Sequence, residues 1–513
     1  MTRLDRPIGP RAGAGLGVRS RRVTRALPQC QASGAAATGR VRNDGRMHVE
    51  TSNPSAEGVD AGRIAAFLDA IEADPRVEPH GLIIQRHGRR IAEGYWAPHA
   101  ASDMRLVYSV SKSFTGTALG LMIGEGRLGL DDLVVDHLPD LVGDGVDERT
   151  ARMRIRHIAT MATGHDREMI DEARRADPSS MVRGLLHIPP DAEPGTLFAY
   201  SQPPVLALAT ILQRLAGERL VDYLRPRLLE PLGIDSFRWA QHTPGVDLGY
   251  SGVYTNLDAL ARLGQLYLDG GRCDGRPILP DGWVAEASSI HVSNAMREEP
   301  DWKLGYGIQL WRSAHGYRGD GAFGQYMVVL PDMDAVVAMF SCTETMQAVL
   351  DAMWEHLIPA LSGGRPADPA LDAVLADRLR SLRRPTAAER LGAHPYTSAT
   401  GRFAPGVPVP STQPTITAVD LDGSTLTYWE HDERHDVPVG GSWSMSPDGL
   451  TATSAAELAD GRVAVDLVLL DTPHRLELLL DPSTSTFSAT WPIVPLFGLS
   501  PDNHLSNLRL PAD

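Results

Sequence analysis

Ser109 and Lys112 stand three residues apart in the run Tyr108-Ser109-Val110-Ser111-Lys112-Ser113-Phe114. On a helix that spacing puts both side chains on one face, within reach of each other. A serine hydroxyl is a poor nucleophile until a neighbouring base takes its proton, and an amine can be that base because its pKa can be tuned down. A guanidinium cannot. The composition sharpens the point, since the chain has two lysines against 47 arginines. Fixed positive charge is supplied by arginine, so a lysine that remains is a candidate for work that needs a neutral amine. The other lysine, Lys303 in Asp301-Trp302-Lys303-Leu304, has no serine at that spacing and reads as a surface residue. Serine is common, so the surroundings of Ser109 must decide.

Those surroundings need a scaffold, and 513 residues allow two or three domains with a large core. No apolar run is long enough to span a bilayer. A formal net charge of −15 argues against a nucleic-acid partner, which requires a basic footprint. Cys30, Cys273 and Cys342 are widely spaced, with no metal-ligand pattern, and read as reduced thiols of a cytoplasmic protein. Neither a metal nor a cofactor is expected. Residues 1–46 hold ten arginines and two acids, with no apolar stretch of a secretory signal. Residues 1–47 are therefore expected to be a disordered extension, a transit peptide or a start at Met47 being the alternatives.

Residues 48–362 read as one unit. Gly81–Arg86 and Arg90–Trp96 flank His87-Gly88 and predict a β-hairpin. Phe114–Gly124 carries no charge and predicts a buried helix, while Val205–Ala216 and Leu257–Asp269 predict helices stopped by glycine. Tyr306–Trp311, Gln325–Leu330 and Ala335–Ser341 read as strands, with a turn at Pro331–Asp334 between the last two. Helical spacing from Met346 to Leu357 closes the unit. The expected class is α+β, an antiparallel sheet flanked by helices with an inserted all-helical lobe. Residues 363–394 read as a linker and 395–513 as an antiparallel β domain or barrel without a catalytic pattern.

The segment Tyr-Ser-Val-Ser-Lys-Ser-Phe-Thr-Gly at 108–116 resembles the active-site segment of serine hydrolases in the β-lactamase and penicillin-binding-protein superfamily. It is most similar to the class C-like group, with its family VIII carboxylesterases, D-aminopeptidases and 6-aminohexanoate-dimer hydrolases. Arg156–Gly164, Glu193–Gln202 and Pro231–Ile234 resemble further segments of that family in the same order. The resemblance implies Ser109 as nucleophile, Lys112 as its partner and Tyr200 as the acid–base residue of a Tyr-x-Asn motif. It also implies an oxyanion hole made by the N–H groups of Ser109 and Gln325. Whether Lys112 works as a cation or as a neutral base stays open.

Two positions depart from the family pattern. Gln202 stands where the second motif has asparagine, and Ala322-Phe323-Gly324-Gln325 stands where the third has Lys-Thr-Gly or His-x-Gly. With no cation at Ala322, and Arg318 or His315 able to replace it only by a loop rearrangement, a substrate carboxylate is poorly served. Phe323 suits the acyl group of an ester or small amide better. Ser109, Gln325, Gln202, Gly324 and Phe323 are thus the expected oxyanion and substrate-binding residues. The implied activity is a serine hydrolase forming an acyl-enzyme with a small-molecule carboxylic ester or amide. The alternatives are a β-lactamase or D,D-peptidase activity, or a binding protein that keeps the fold.

Overall fold

The computed structural model describes residues 46–143, 145–363, 367–406, 411–496 and 504–509. Cys30 and the expected disordered extension up to residue 45 lie outside the described residues. Two hairpins far apart in sequence make the main sheet. Glu78–Arg86 pairs with Arg89–Tyr95 on one side and with Ala335–Cys342 on the other. Gln325–Leu330, Tyr317–Gly321 and the short Trp311–Arg312 follow outward, all antiparallel, while Glu50–Thr51 adds a parallel edge beside Arg89–Arg90.

The two-residue period of a strand sends alternate side chains to opposite faces, and here both faces are covered. Ile83, Met327 and Ala338 enter one apolar core with the helical lobe. Leu82, Ile84, Val328, Val337 and Met339 enter a second core with the helix Ala61–Ala73 and the chain from Val349 to Leu361. This is why these strands read as unbroken apolar runs. The helical middle of the chain is inserted between the two hairpins, as the α+β reading anticipated.

Within the lobe, the helix Ser111–Gly124 is buried at every position through Met122. Its glycines are there for contact. A Cβ on Gly120 would lie 2.4 Å from the Trp283 ring, and one on Gly116 would lie 3.1 Å from Gln309. Gln202–Ala216 is the other long helix of the lobe, ended by Gly217 in the left-handed region, while Leu257–Leu268 packs across the main sheet, with Gly264 against Val336 and Met327.

Two expectations need correction. Tyr306–Trp311 is mostly an irregular segment, because Gln309 adopts a positive φ and Gly307 bonds back to Leu310, leaving a strand only at Trp311–Arg312. Residues 363–394 are not a bare linker. They carry a helix, Pro369–Arg380, capped by Asp368, whose Leu379 packs with Leu382 over Gly94 of the hairpin. A shorter helix, Ala387–Leu391, lies against the strand Thr451–Glu457 through Ala387, Ala388 and Ala456. The C-terminal sheet also contains Thr400–Pro405, Glu433–Pro438 and Thr451–Glu457, which are polar or small-residue strands without a marked apolar alternation. Its β-rich character is as expected.

Candidate functional site

Ser109 lies in a single 3-10 turn, Tyr108–Val110, that runs directly into the helix Ser111–Gly124. Between Arg105 and Met122 it is the one residue that is not buried. Tyr108 just before it holds φ at 47°, in the left-handed region. That conformation costs a non-glycine residue about 1–2 kcal/mol and must be held by its neighbours. Ser111 fixes the turn from below: its hydroxyl donates to the Tyr108 carbonyl at 2.6 Å and accepts the Val253 N–H at 3.0 Å. Ser113 donates to the Gln309 carbonyl. Both serines are thus hydrogen-bonding residues of the scaffold.

Lys112 is 1 % exposed and its Nζ has three partners, Ser109 Oγ at 3.0 Å, Gln202 Oε1 at 2.7 Å and the Tyr250 carbonyl at 2.8 Å. Two of these, the amide and backbone oxygens, can only accept. They take two N–H bonds, and the remaining tetrahedral direction of the amine points at Ser109. Burial pushes the Lys112 pKa down to about 7, against the opposing pull of Glu168 and Asp320. Near neutral pH a lone pair can therefore face the serine hydroxyl.

Gln202 begins the helix Gln202–Ala216, whose next two residues are prolines without N–H groups. Glu168 occupies this helix start. It accepts from the Ser201 hydroxyl and the Gln202 N–H at 3.0 Å each, and from Gln202 Nε2 at 3.0 Å. A carboxylate only accepts, so the amide nitrogen must face Glu168 and the oxygen must face Lys112. The longer side chain at this family position is held in place by a residue the sequence reading did not single out.

Tyr200 is half-buried, stacked on Trp311 at 5.2 Å with 24° between the rings, and its hydroxyl interacts with that of Ser109. The Lys112 ammonium position lies 4.8 Å from its ring centre. Burial, and then the charge of Asp320, push the Tyr200 pKa well above its ordinary value, so the phenol keeps its proton. Tyr200 is brought to the site by packing of two loops. Gly195 and Ala199 donate to Ala162 and Met161, and Gly164 at φ 92° accepts the Ala192 N–H where a Cβ would collide with that residue's carbonyl.

The third-motif position is the turn between Tyr317–Gly321 and Gln325–Leu330. Gly321 packs on the Val107 carbonyl, where a Cβ would come to 2.1 Å, so this turn abuts the Ser109 turn. Gln325 is fully buried and its side chain donates to the Ser341 carbonyl. Gly324 has φ 85°, and a Cβ there would lie 2.1 Å from Ser341 Oγ. Gly324→Ala is expected to lower stability by about 2 kcal/mol and turnover with it, seen as an earlier thermal unfolding midpoint.

The Phe323 ring, expected to meet the acyl group, is instead committed to a contact with Tyr108 at 5.3 Å and His474 at 4.7 Å. Arg318 is equally committed, donating to Asp320 at 2.9 Å and Ser313 at 2.6 Å beneath Trp302. His315 packs on Trp354. Among the described residues no group of His, Cys, Asp and Glu is arranged to hold a metal ion, and no helix is long and apolar enough to cross a membrane.

Residues 65–360, more than half of the chain, match the family model described as Beta-lactamase. A 6-aminohexanoate-dimer hydrolase of Paenarthrobacter ureafaciens is 29% identical over 283 residues, covering 51% of this chain and 71% of that protein. A solved Bacillus anthracis structure, provisionally named as a 6-aminohexanoate-dimer hydrolase, superposes with a TM-score of 0.50 at 16% identity, over 62% of this chain and 89% of that one. An octameric penicillin-binding protein homologue from Pyrococcus abyssi gives a TM-score of 0.44 at 15% identity, over 82% of this chain and 96% of that one. The chain belongs to the beta-lactamase family and is a serine hydrolase.

Proposed function

We propose that the protein hydrolyses small carboxylic esters or amides through an acyl-enzyme on Ser109, with Lys112 as the base and Tyr200 as the proton donor. The observation that carries this reading is the three-way environment of Lys112 Nζ, which leaves one direction of a near-neutral amine for the Ser109 hydroxyl. The pKa values of Lys112 and Tyr200 are pushed apart, one down and one up, and such a separation assigns base and acid.

In this mechanism Nζ takes the proton of Ser109 Oγ as Oγ bonds to the carbonyl carbon. The developing oxyanion takes the N–H groups of Ser109 and Gln325. The Tyr200 hydroxyl gives its proton to the departing oxygen or nitrogen and is reprotonated from Lys112. Water then attacks the acyl carbon by the same steps in reverse. The half-buried Tyr200 and Tyr250, both beside Lys112, offer an aromatic wall suited to an apolar or small-amide acyl group, with the buried Trp311 backing Tyr200. The name of the Paenarthrobacter relative points to amides among the substrates to try.

A fluorophosphonate probe is expected to label Ser109 and no other serine, with p-nitrophenyl esters and short amides turned over and Ser109→Ala silent. A folded protein that takes no label at Ser109 would sink the reading. One observation favours a second activity on carboxylate-bearing substrates, a β-lactam or a D,D-peptide. Arg297 lies over Trp311 at 5.6 Å and acts on both Tyr200 and Asp320, a cation from another element than Ala322. Rapid nitrocefin turnover that is lost in both Lys112→Ala and Arg297→Ala would promote it.

A further inference from the structure

The turn 470–474 of the C-terminal sheet, between Val463–Leu469 and Arg475–Asp481, reaches the segment that carries Ser109. The Leu106 N–H donates to the Asp471 carbonyl at 2.9 Å, and Arg105 donates to the Thr472 carbonyl at 2.7 Å. Two residues on, His474 Nε2 meets the Tyr108 hydroxyl at 2.6 Å, both side chains being buried. The same imidazole is edge-on to Tyr108 and to Phe323.

Those two residues share a property. Tyr108 and Phe323 hold φ at 47° and 66°, a left-handed conformation that neither adopts unaided. Tyr108 precedes the proposed nucleophile, and Phe323 stands two residues before the proposed oxyanion donor Gln325. One side chain therefore clamps both strained turns that face the reacting carbonyl. His474 suits a fixed clamp because burial lowers its pKa to about 3 and keeps the ring neutral, and with that one proton on the nitrogen bonded to the Ile493 backbone, Nε2 is left to accept the Tyr108 O–H.

We propose that His474 is a positioning residue of the hydrolase, setting Ser109 through the Tyr108 hydroxyl, so that the C-terminal β domain is a working part of the active centre. The proposal rests on Ser109 being the nucleophile. It gives the domain a role beyond the partner binding that an accessory β sheet would suggest.

The test uses full-length His474→Leu, His474→Gln, Tyr108→Phe and the double variant Tyr108→Phe/His474→Leu, with fluorophosphonate labelling rate, kcat, KM and unfolding midpoint measured for each. His474→Leu should slow labelling and kcat about tenfold with KM within twofold. Gln, whose amide oxygen can accept at the Nε2 position, should recover most of the loss. Tyr108→Phe should lose most of what the leucine variant loses, and the double variant should be no slower than His474→Leu, since the Tyr108 bond is already gone there. Unchanged kcat in His474→Leu and Tyr108→Phe, or losses that multiply in the double variant, would overturn the proposal while wild-type labelling at Ser109 left the nucleophile intact. A wild-type protein without label at Ser109 would overturn both.

Discussion

Lys112→Arg is expected to lower kcat by about 10³-fold while KM stays within a few-fold, because a guanidinium keeps its positive charge and cannot offer a lone pair to Ser109. In the wild-type enzyme kcat/KM should rise with pH and level off above about 7, the pKa to which burial pushes Lys112. The sign follows from the role. A base works when unprotonated, so activity grows as the amine loses its proton. If Lys112 acted only as a fixed cation, the arginine variant would keep most of its rate and the profile would fall through pH 7 instead of rising.

The same depressed pKa has a cost in stability. The folded state binds the Lys112 proton more weakly than the unfolded chain, whose pKa is near 10.5. That destabilises the fold by about 5 kcal/mol at and below pH 6, a penalty that fades as pH rises from 7 towards 10.5. Lys112→Met would leave the oxygens of Gln202 and Tyr250 without a donor, at about 1–3 kcal/mol each. The two effects are of similar size, so the inactive methionine variant should unfold near the wild-type midpoint at pH 6. A misfolded protein would not explain its lost activity.

Tyr200→Phe carries the second large effect, and its size should depend on the leaving group. The ring stack on Trp311 survives the substitution, so KM should change little. With an amide or alkyl ester, whose leaving group needs a proton, kcat should fall by about 10²–10³-fold. With a p-nitrophenyl ester the leaving phenolate departs unprotonated, and the loss should shrink to roughly tenfold. Equal losses on both substrates would assign Tyr200 to orienting Ser109 rather than to proton delivery.

Part of the candidate site was legible from local geometry, since Ser109 and Lys112 are one helical turn apart. Tyr200 was legible only through the likeness of Glu193–Gln202 to a family segment. What was not legible depends on contacts across the chain. Glu168 is an exposed acid in a loop, and no spacing rule ties it to Gln202. Tyr250 contributes a backbone carbonyl, which any residue would supply. Phe323 was read by its apolar character alone, but a left-handed backbone turns it towards His474, some 150 residues later in the chain. The aromatic run Tyr306–Trp311 imitates a strand for a similar reason. Its rings pack on Phe198 and Trp302, so tertiary contact and not β pairing selected them. The helix at Pro369–Arg380 was hidden behind a Gly-Gly-Arg-Pro start that reads as a tether.

The main sheet joins Ile83 to Ala338, partners separated by about 250 residues of chain. Protein synthesis is vectorial, at about 5–20 residues per second, so the first hairpin must wait on the order of 10–50 s on the ribosome before its neighbouring strand exists. During that interval its Leu82, Ile83 and Ile84 edge has no partner strand and is open to the wrong one. The turn bearing His474 emerges later still. The proposed nucleophile is thus made early, and the turn proposed to hold it in place arrives last.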